Sequence, residues 1–191
     1  MRRIWVVVML ILLGGCQLWG TALNGAHKIY TIVADDRSTA DDLADMRINL
    51  EIRDTLARQK FALAIDIEVT VFEGEVLLTG AVPNIETMHT ILTATWSVDG
   101  VKKVYNYVRL DSAPEMQNTA TETVQAANIK AKLTATAGIN SANYKIVLEN
   151  GTVYLMGICA GEAEYQTVVA VLKDTASVSE IVPLMRMATS D

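Results

Sequence analysis

"GEVLLTG", Gly74–Gly80, and "GTVYLMG", Gly151–Gly157, are nearly the same phrase written 77 positions apart. Each closes a longer stretch, "VTVFEGEVLLTG" or "IVLENGTVYLMG", in which a two-residue turn, Glu73-Gly74 or Asn150-Gly151, separates two alternating apolar runs. That pattern is a β-hairpin. Closing the chain on those turns sets Val71 opposite Val76 and Val69 opposite Leu78, and in the second copy Leu148 opposite Val153 and Ile146 opposite Leu155. Aliphatics face aliphatics in both, as a half-buried hairpin requires.

Outward from the hairpins the repeat continues. Residues 45–110 align with 122–187 without a gap, matching Ile52 with Ile129, Leu56 with Leu133 and Val101 with Val178. Ile52 and Leu56, like Ile129 and Leu133, stand at i and i+4 and predict a helix before each hairpin. After the first hairpin Asn84 can cap a helix with Glu86 near its positive end, and Ile91, Leu92, Thr95 and Val98 form its inner stripe before Gly100 stops it. Val168, Val169 and Leu172 repeat most of that stripe. A last strand from Val104 or Ile181 returns beside the hairpin. Pro183 lacks an amide hydrogen, which predicts an edge position for the second of these strands.

The expected fold is therefore α+β: two tandem αββαβ modules, each a three-stranded mixed sheet packed on two helices. Residues 43–111 and 122–188 make the modules, with 112–121 as linker. Modules this small have marginal cores and gain from packing on a neighbour.

Ahead of the repeat, Arg2 and Arg3 precede an unbroken apolar run from Ile4 to Leu13. Ten apolar residues cover half of the roughly 20 that a membrane-spanning helix needs, and suit an export signal, residues 1–15. "LGGC", Leu13–Cys16, resembles the lipobox of bacterial lipoproteins, which implies an acylated Cys16 and a lipidated tether over 16–42; the alternative is an ordinary thiol beside a conventional cleavage site. Gln17, rather than Asp, after the cysteine implies the inner leaflet of the outer membrane, with the protein facing the periplasm. The four acidic residues Asp35, Asp36, Asp41 and Asp42 have no calcium-loop spacing and read as helix-start residues and a soluble tether.

Composition excludes several functions. There are 16 basic and 22 acidic residues, and loss of Arg2 and Arg3 takes the net charge from −6 to −8, which opposes nonspecific nucleic-acid binding. With Cys16 acylated, Cys159 has no partner for a disulfide and reads as a small buried residue. The histidines are His27 and His89 alone, and no hydrolase, zinc, phosphate-loop or paired-cysteine motif is present. No catalytic residue, metal or cofactor is expected.

"GEVLLTG", "VDGVKKVYNYVRL" and "ENGTVYLMG", in two consecutive αββαβ units behind a lipobox, resemble the dual BON-domain lipoproteins over almost the whole mature chain. The resemblance implies a non-catalytic envelope protein that binds anionic phospholipid and supports outer-membrane integrity. This chain departs from the pattern in "DTASVSEIVPLM", which lacks the glycine of "VDGVKKVYNYV" and has Pro183 for its asparagine; both differences bear on the edge of the second module.

The two copies also serve as controls on each other. A position apolar in one and charged in the other is expected to be exposed, which makes Trp96 (opposite Lys173) and Phe72 (opposite Glu149) candidate contact aromatics, with burial between the modules as the alternative. Tyr154, with Val147, Met156, Val182 and Leu184, gives the second sheet an apolar outer face that must meet another surface, either a protein partner or the sister module. The most specific candidate is the helix "ETVQAANIKAKL". With Ile129 and Leu133 inward, Val124, Ala127 and Ala131 project outward, flanked by Lys130 and Lys132, a ridge suited to a headgroup layer with two cations for phosphate. The first copy presents Arg47, Leu50 and Asp54 instead, which places lipid binding in the second module. About 28 residues from Gln17 to Ala44 would hold that site at high effective concentration near the bilayer. The competing expectation is a periplasmic scaffold that binds envelope proteins through apolar sheet faces.

Overall fold

The structure is a computed structural model that describes residues 39–60, 63–111 and 119–188. The export signal, Cys16 and the tether up to residue 38 lie outside the described residues. Both modules belong to one compact unit, Asp36–Asp191.

The first module runs α1 (Thr39–Gln59), a single turn α2 (Leu63–Asp66), β1 (Ile67–Phe72), β2 (Glu75–Val82), α3 (Ile85–Trp96), β3 (Lys103–Asn106) and β4 (Arg109–Leu110). The second runs α4 (Thr119–Ala135), a 3-10 turn (Ser141–Asn143), β5 (Tyr144–Glu149), β6 (Thr152–Cys159), α5 (Glu162–Lys173) and β7 (Glu180–Met187). In each, the hairpin is antiparallel and the last strand lies parallel to its second arm, giving the orders β1-β2-β3 and β5-β6-β7. The expected register is present: Val71 with Val76, Val69 with Leu78, Leu148 with Val153, Ile146 with Leu155.

The repeated glycines have two different reasons. Glu73 and Gly74 (φ 52° and 78°) and Asn150 and Gly151 (φ 50° and 77°) have positive φ at both central positions, the type I′ turn that matches the twist of a two-residue hairpin. Gly80 (φ 121°) and Gly157 (φ 150°) sit where any Cβ would run into the carbonyl of Asp66 or Asn143. Each turn is also tied to the preceding helix. The amides of Glu73 and Gly74 donate to the buried Asp45 carboxylate at 2.8 and 2.9 Å, and that of Asn150 donates to Glu122 at 2.6 Å. Asp45 and Glu122 are 77 positions apart, the first matched pair of the repeat.

Two helices cover one face of each sheet. Ile48, Ile52 and Leu56 of α1 meet Val69, Val71, Val76 and Leu78 with Ile91 of α3; Ile129 and Leu133 of α4 meet Leu148, Val153 and Leu155 with Val168 and Leu172 of α5. Asn84 caps α3 as expected, its side chain accepting from the Thr87 amide at 2.9 Å. Asp41 and Asp42 lie in the first turn of α1, where carboxylates complement the helix dipole.

The opposite faces of the two sheets pack on each other. Phe72 and Leu77 of the first join Val147, Tyr154 and Met156 of the second in a third core, bordered by Tyr105, Tyr107, Val182 and Leu184. The order of layers is helix, sheet, sheet, helix. Polar contacts close its rim: Arg109 of β4 pairs with Glu149 at 3.3 Å, and Arg186 of β7 pairs with Glu73 and, at 3.4 Å, with Glu75.

The edge strands depart from expectation. β7 runs unbroken for eight residues with Pro183 opposite Leu155, on the edge that proline requires. The interrupted strand is in the first module. Leu78 pairs with Asn106 and Ala81 with Arg109, and the Tyr107 amide still donates to the Leu78 carbonyl at 2.9 Å, but the pairing lapses between Tyr107 and Arg109. Beside the break Asn106 accepts the Val108 amide at 3.2 Å, and the Gly80 amide of β2 donates to Glu149 of the other module. Val108 then enters the core, and the Tyr107 ring meets Tyr154 at a centroid distance of 4.8 Å.

Candidate functional site

α4 forms because alanine-rich sequence favours helix and Ile129 and Leu133, both fully buried, hold it on the sheet. Its outward ridge is Val124, 61% exposed, with Ala127 and Ala131 also exposed. The two lysines behave differently. Lys132 stays exposed, donating to the Thr175 hydroxyl at 3.2 Å. Lys130 is half-buried and turns back, donating to the carbonyls of Ser141 and, at 2.8 Å, Tyr144. A helical projection treats a side chain as a pointer, whereas the four-carbon stem of lysine lets the ammonium reach carbonyls where β5 begins. Lys130 is thus a structural cation, and a lipid phosphate would have to displace two protein acceptors to take it.

The three candidate aromatics separate in the same way. Trp96, at the end of α3, is 53% exposed. Phe72 and Tyr154 are buried between the sheets, so neither offers an outside contact. The expectation that an apolar residue opposite a charged one is exposed fails at Phe72 because its counterpart Glu149 is buried too, at 6% exposure. Both positions face the sister module. Glu149 is accommodated there by the Gly80 amide, which donates at 3.0 Å opposite the break in the β3–β4 edge, and by Arg109. Burial, then the neighbouring Glu149 and Glu180 carboxylates, holds the Tyr154 phenol above its ordinary range.

Two features were not singled out from sequence. Lys145, exposed at the start of β5, lines the cleft between α1 and β1 together with Met46, Leu50, Val69 and Val71, and also the cleft between α4 and β5 with Ala126 and Ala127. Leu43, Met46 and Leu50 of α1 are 63%, 59% and 61% exposed. Their i, i+3, i+7 spacing was legible and would have marked one helix face. Among the described residues, no helix is long and apolar enough to cross a membrane.

The BON domain model matches residues 44–112 and 121–189. A protein named for the gshII 5′ region of Anaplasma centrale is 34% identical over 125 residues, covering 65% of this chain and 83% of that one. The outer membrane lipoprotein DolP of Haemophilus influenzae is 23% identical over 148 residues, covering 77% and 76%. The 21 kDa hemolysin of Actinobacillus pleuropneumoniae is 24% identical over 132 residues, covering 69% and 68%.

Proposed function

Because the chain belongs to the BON domain family, we propose that it is a non-catalytic protein of the bacterial envelope, anchored through Cys16 in the inner leaflet of the outer membrane and facing the periplasm, that binds anionic phospholipid through its second module and supports outer-membrane integrity. The family membership and the relative named as an outer membrane lipoprotein support the envelope setting. "LGGC" supports the anchor.

The observation that carries the lipid assignment is the exposed ridge Val124, Ala127 and Ala131 on α4, with Lys132 beside it and Lys145 on the neighbouring strand. A row of small apolar side chains can settle into a headgroup layer without leaving voids. Each exposed lysine adds on the order of 1 kcal/mol at an anionic surface. Two cations make a weak site, but an acyl anchor would present it to lipid at high effective concentration.

The test is a titration of the chain lacking residues 1–16 with vesicles of phosphatidylglycerol and phosphatidylcholine, and with phosphatidylcholine alone. Preferential binding to the anionic vesicles, lost in Val124→Asp/Lys132→Glu with unfolding unchanged, is expected; equal and negligible binding to both removes the reading. The scaffold alternative is left with Trp96, because the apolar sheet faces it invoked are covered by each other. Loss of function in Trp96→Lys with vesicle binding intact would favour it.

A further inference from the structure

The exposed apolar side chains of this fold are unevenly placed. Of the eight large ones exposed among the described residues, five lie on the two helices of the first module: Leu43, Met46 and Leu50 on α1, Ile85 and Trp96 on α3. Leu43, Met46, Arg47 and Leu50 follow one another at i, i+3, i+4 and i+7, so they share the face of α1 opposite the buried Ile48, Ile52 and Leu56. On α3, Ile85 and Trp96 flank the half-buried Leu92 along one stripe, turned away from the buried Ile91, Ala94 and Thr95. Arg47 ties the two rows together, donating to the Asp99 carbonyl just beyond Trp96 at 3.0 Å. Because α1 and α3 cover the same face of the first sheet, both rows look outward from one layer of the stack. That layer is also the acidic one. α1 and α3 carry six carboxylates against three arginines, of which Arg47 and Arg58 are already paired with Glu51 and Asp54. α4 and α5 carry three charges of each sign.

We infer that the outer face of α1 and α3 docks a basic amphipathic helix of another envelope protein, with Leu43, Met46, Leu50 and Trp96 as its apolar anchors. The inference rests on the phospholipid reading above and adds a second face to it. With the α4 ridge against the bilayer, the helix–sheet–sheet–helix order turns α1 and α3 away from that bilayer, so lipid is not what covers them. A second copy fits no better. Twofold pairing through this layer would bring two acidic faces together and turn one copy's α4 ridge away from the membrane. A protein helix fits both properties of the face. Its apolar stripe can lie along the two rows as ridges into grooves, and its lysines or arginines meet the carboxylates. An exposed tryptophan is the kind of anchor that carries such an interface. Lipid binding and protein binding are then properties of opposite faces rather than alternatives.

The full chain, produced in its own bacterium, carries the photo-crosslinker benzoylphenylalanine in place of Leu50, of Trp96 or, on α4, of Ala127, and the adducts are identified by mass spectrometry. Lipid adducts are expected at 127. At 50 and 96 the expected adduct is to one heterologous protein, through a peptide that is net basic and has apolar residues at helical spacing. That adduct should be lost in Met46→Asp and weakened in Glu86→Lys, with the fold intact by circular dichroism. Lipid at 127 with lipid, a second copy or nothing at 50 and 96 overturns the docking face and leaves the phospholipid reading standing. A crosslinked peptide without net positive charge, or an adduct that survives both substitutions, overturns the docking face as well. Basic-peptide adducts at 50 and 96 with no lipid at 127 support the docking face and overturn the phospholipid reading. Lipid at 50 and 96 alone overturns both.

Discussion

The backbone amide of Gly80 donates a 3.0 Å hydrogen bond to Oε2 of Glu149, from the central strand of one module to the last residue of a strand in the other. Glu149 is buried and its second oxygen meets Arg109. Replacement by Ala would leave a strand amide enclosed without an acceptor, a cost of about 1–3 kcal/mol. Glu149→Ala is expected to lower the urea midpoint accordingly. An unchanged midpoint would show that the amide finds another acceptor.

The two turn-binding carboxylates should differ in weight. Asp45 is buried and accepts two amides, whereas Glu122 is half-buried and accepts one. Asp45→Ala is expected to cost about 1–3 kcal/mol and Glu122→Ala about 0.5–1.5 kcal/mol, with hydrogen exchange at Gly74 accelerating in the first variant. Equal losses would mean that burial of the acceptor is not what matters.

Alkali should unfold the protein through two tyrosines. Burial first, and then the Glu164 carboxylate, raises the Tyr144 phenol; burial also raises Tyr154. A phenol whose folded pKa exceeds its unfolded value of about 10 keeps its full contribution to stability below pH 10 and loses it as pH rises beyond, because the unfolded chain releases the proton more readily. Stability is therefore expected to fall above pH 10, with part of the phenolate absorbance appearing only on unfolding. Tyr144→Phe and Tyr154→Phe should each flatten that fall; a slope unaltered in the double variant would refute the assignment.

Lys130 and Trp96 make opposite predictions about stability. Lys130→Met removes a cation from two carbonyls and is expected to cost about 1–3 kcal/mol, so charge reversal at Lys130 would confuse folding with lipid binding. Trp96→Lys, at a half-exposed helix end, should stay within about 0.5 kcal/mol, while Phe72→Ala in the shared core should cost about 3–5 kcal/mol. Thermal melts of the three variants check the order.

Alternation and turn chemistry made the hairpins and their register legible, because a two-residue turn leaves one way to set aliphatics opposite each other. The cap at Asn84 followed from a single side-chain geometry. What escaped was set by tertiary context. Pro183 marks the second edge strand, yet it is the first that is interrupted, opposite Gly80, whose amide is taken by Glu149 of the other module, and a proline on an edge interrupts nothing. Phe72 and Glu149 were misjudged because comparing two copies assumes that a variable position is a wet one. Both lie against the sister module, where a ring and a carboxylate are each accommodated by different neighbours. Lys130 escaped because backbone direction does not fix where a long side chain ends.

Arg109 and Arg186 occupy the same place in the two repeats, and each grips the hairpin of the other. Reciprocal contact between equivalent residues is the mark of an isologous, twofold dimer interface. The chain is thus built like a dimer fused head to tail. Fusion fixes the stoichiometry at one to one, and it frees each half to diverge on its outward helices while the surface between them stays matched.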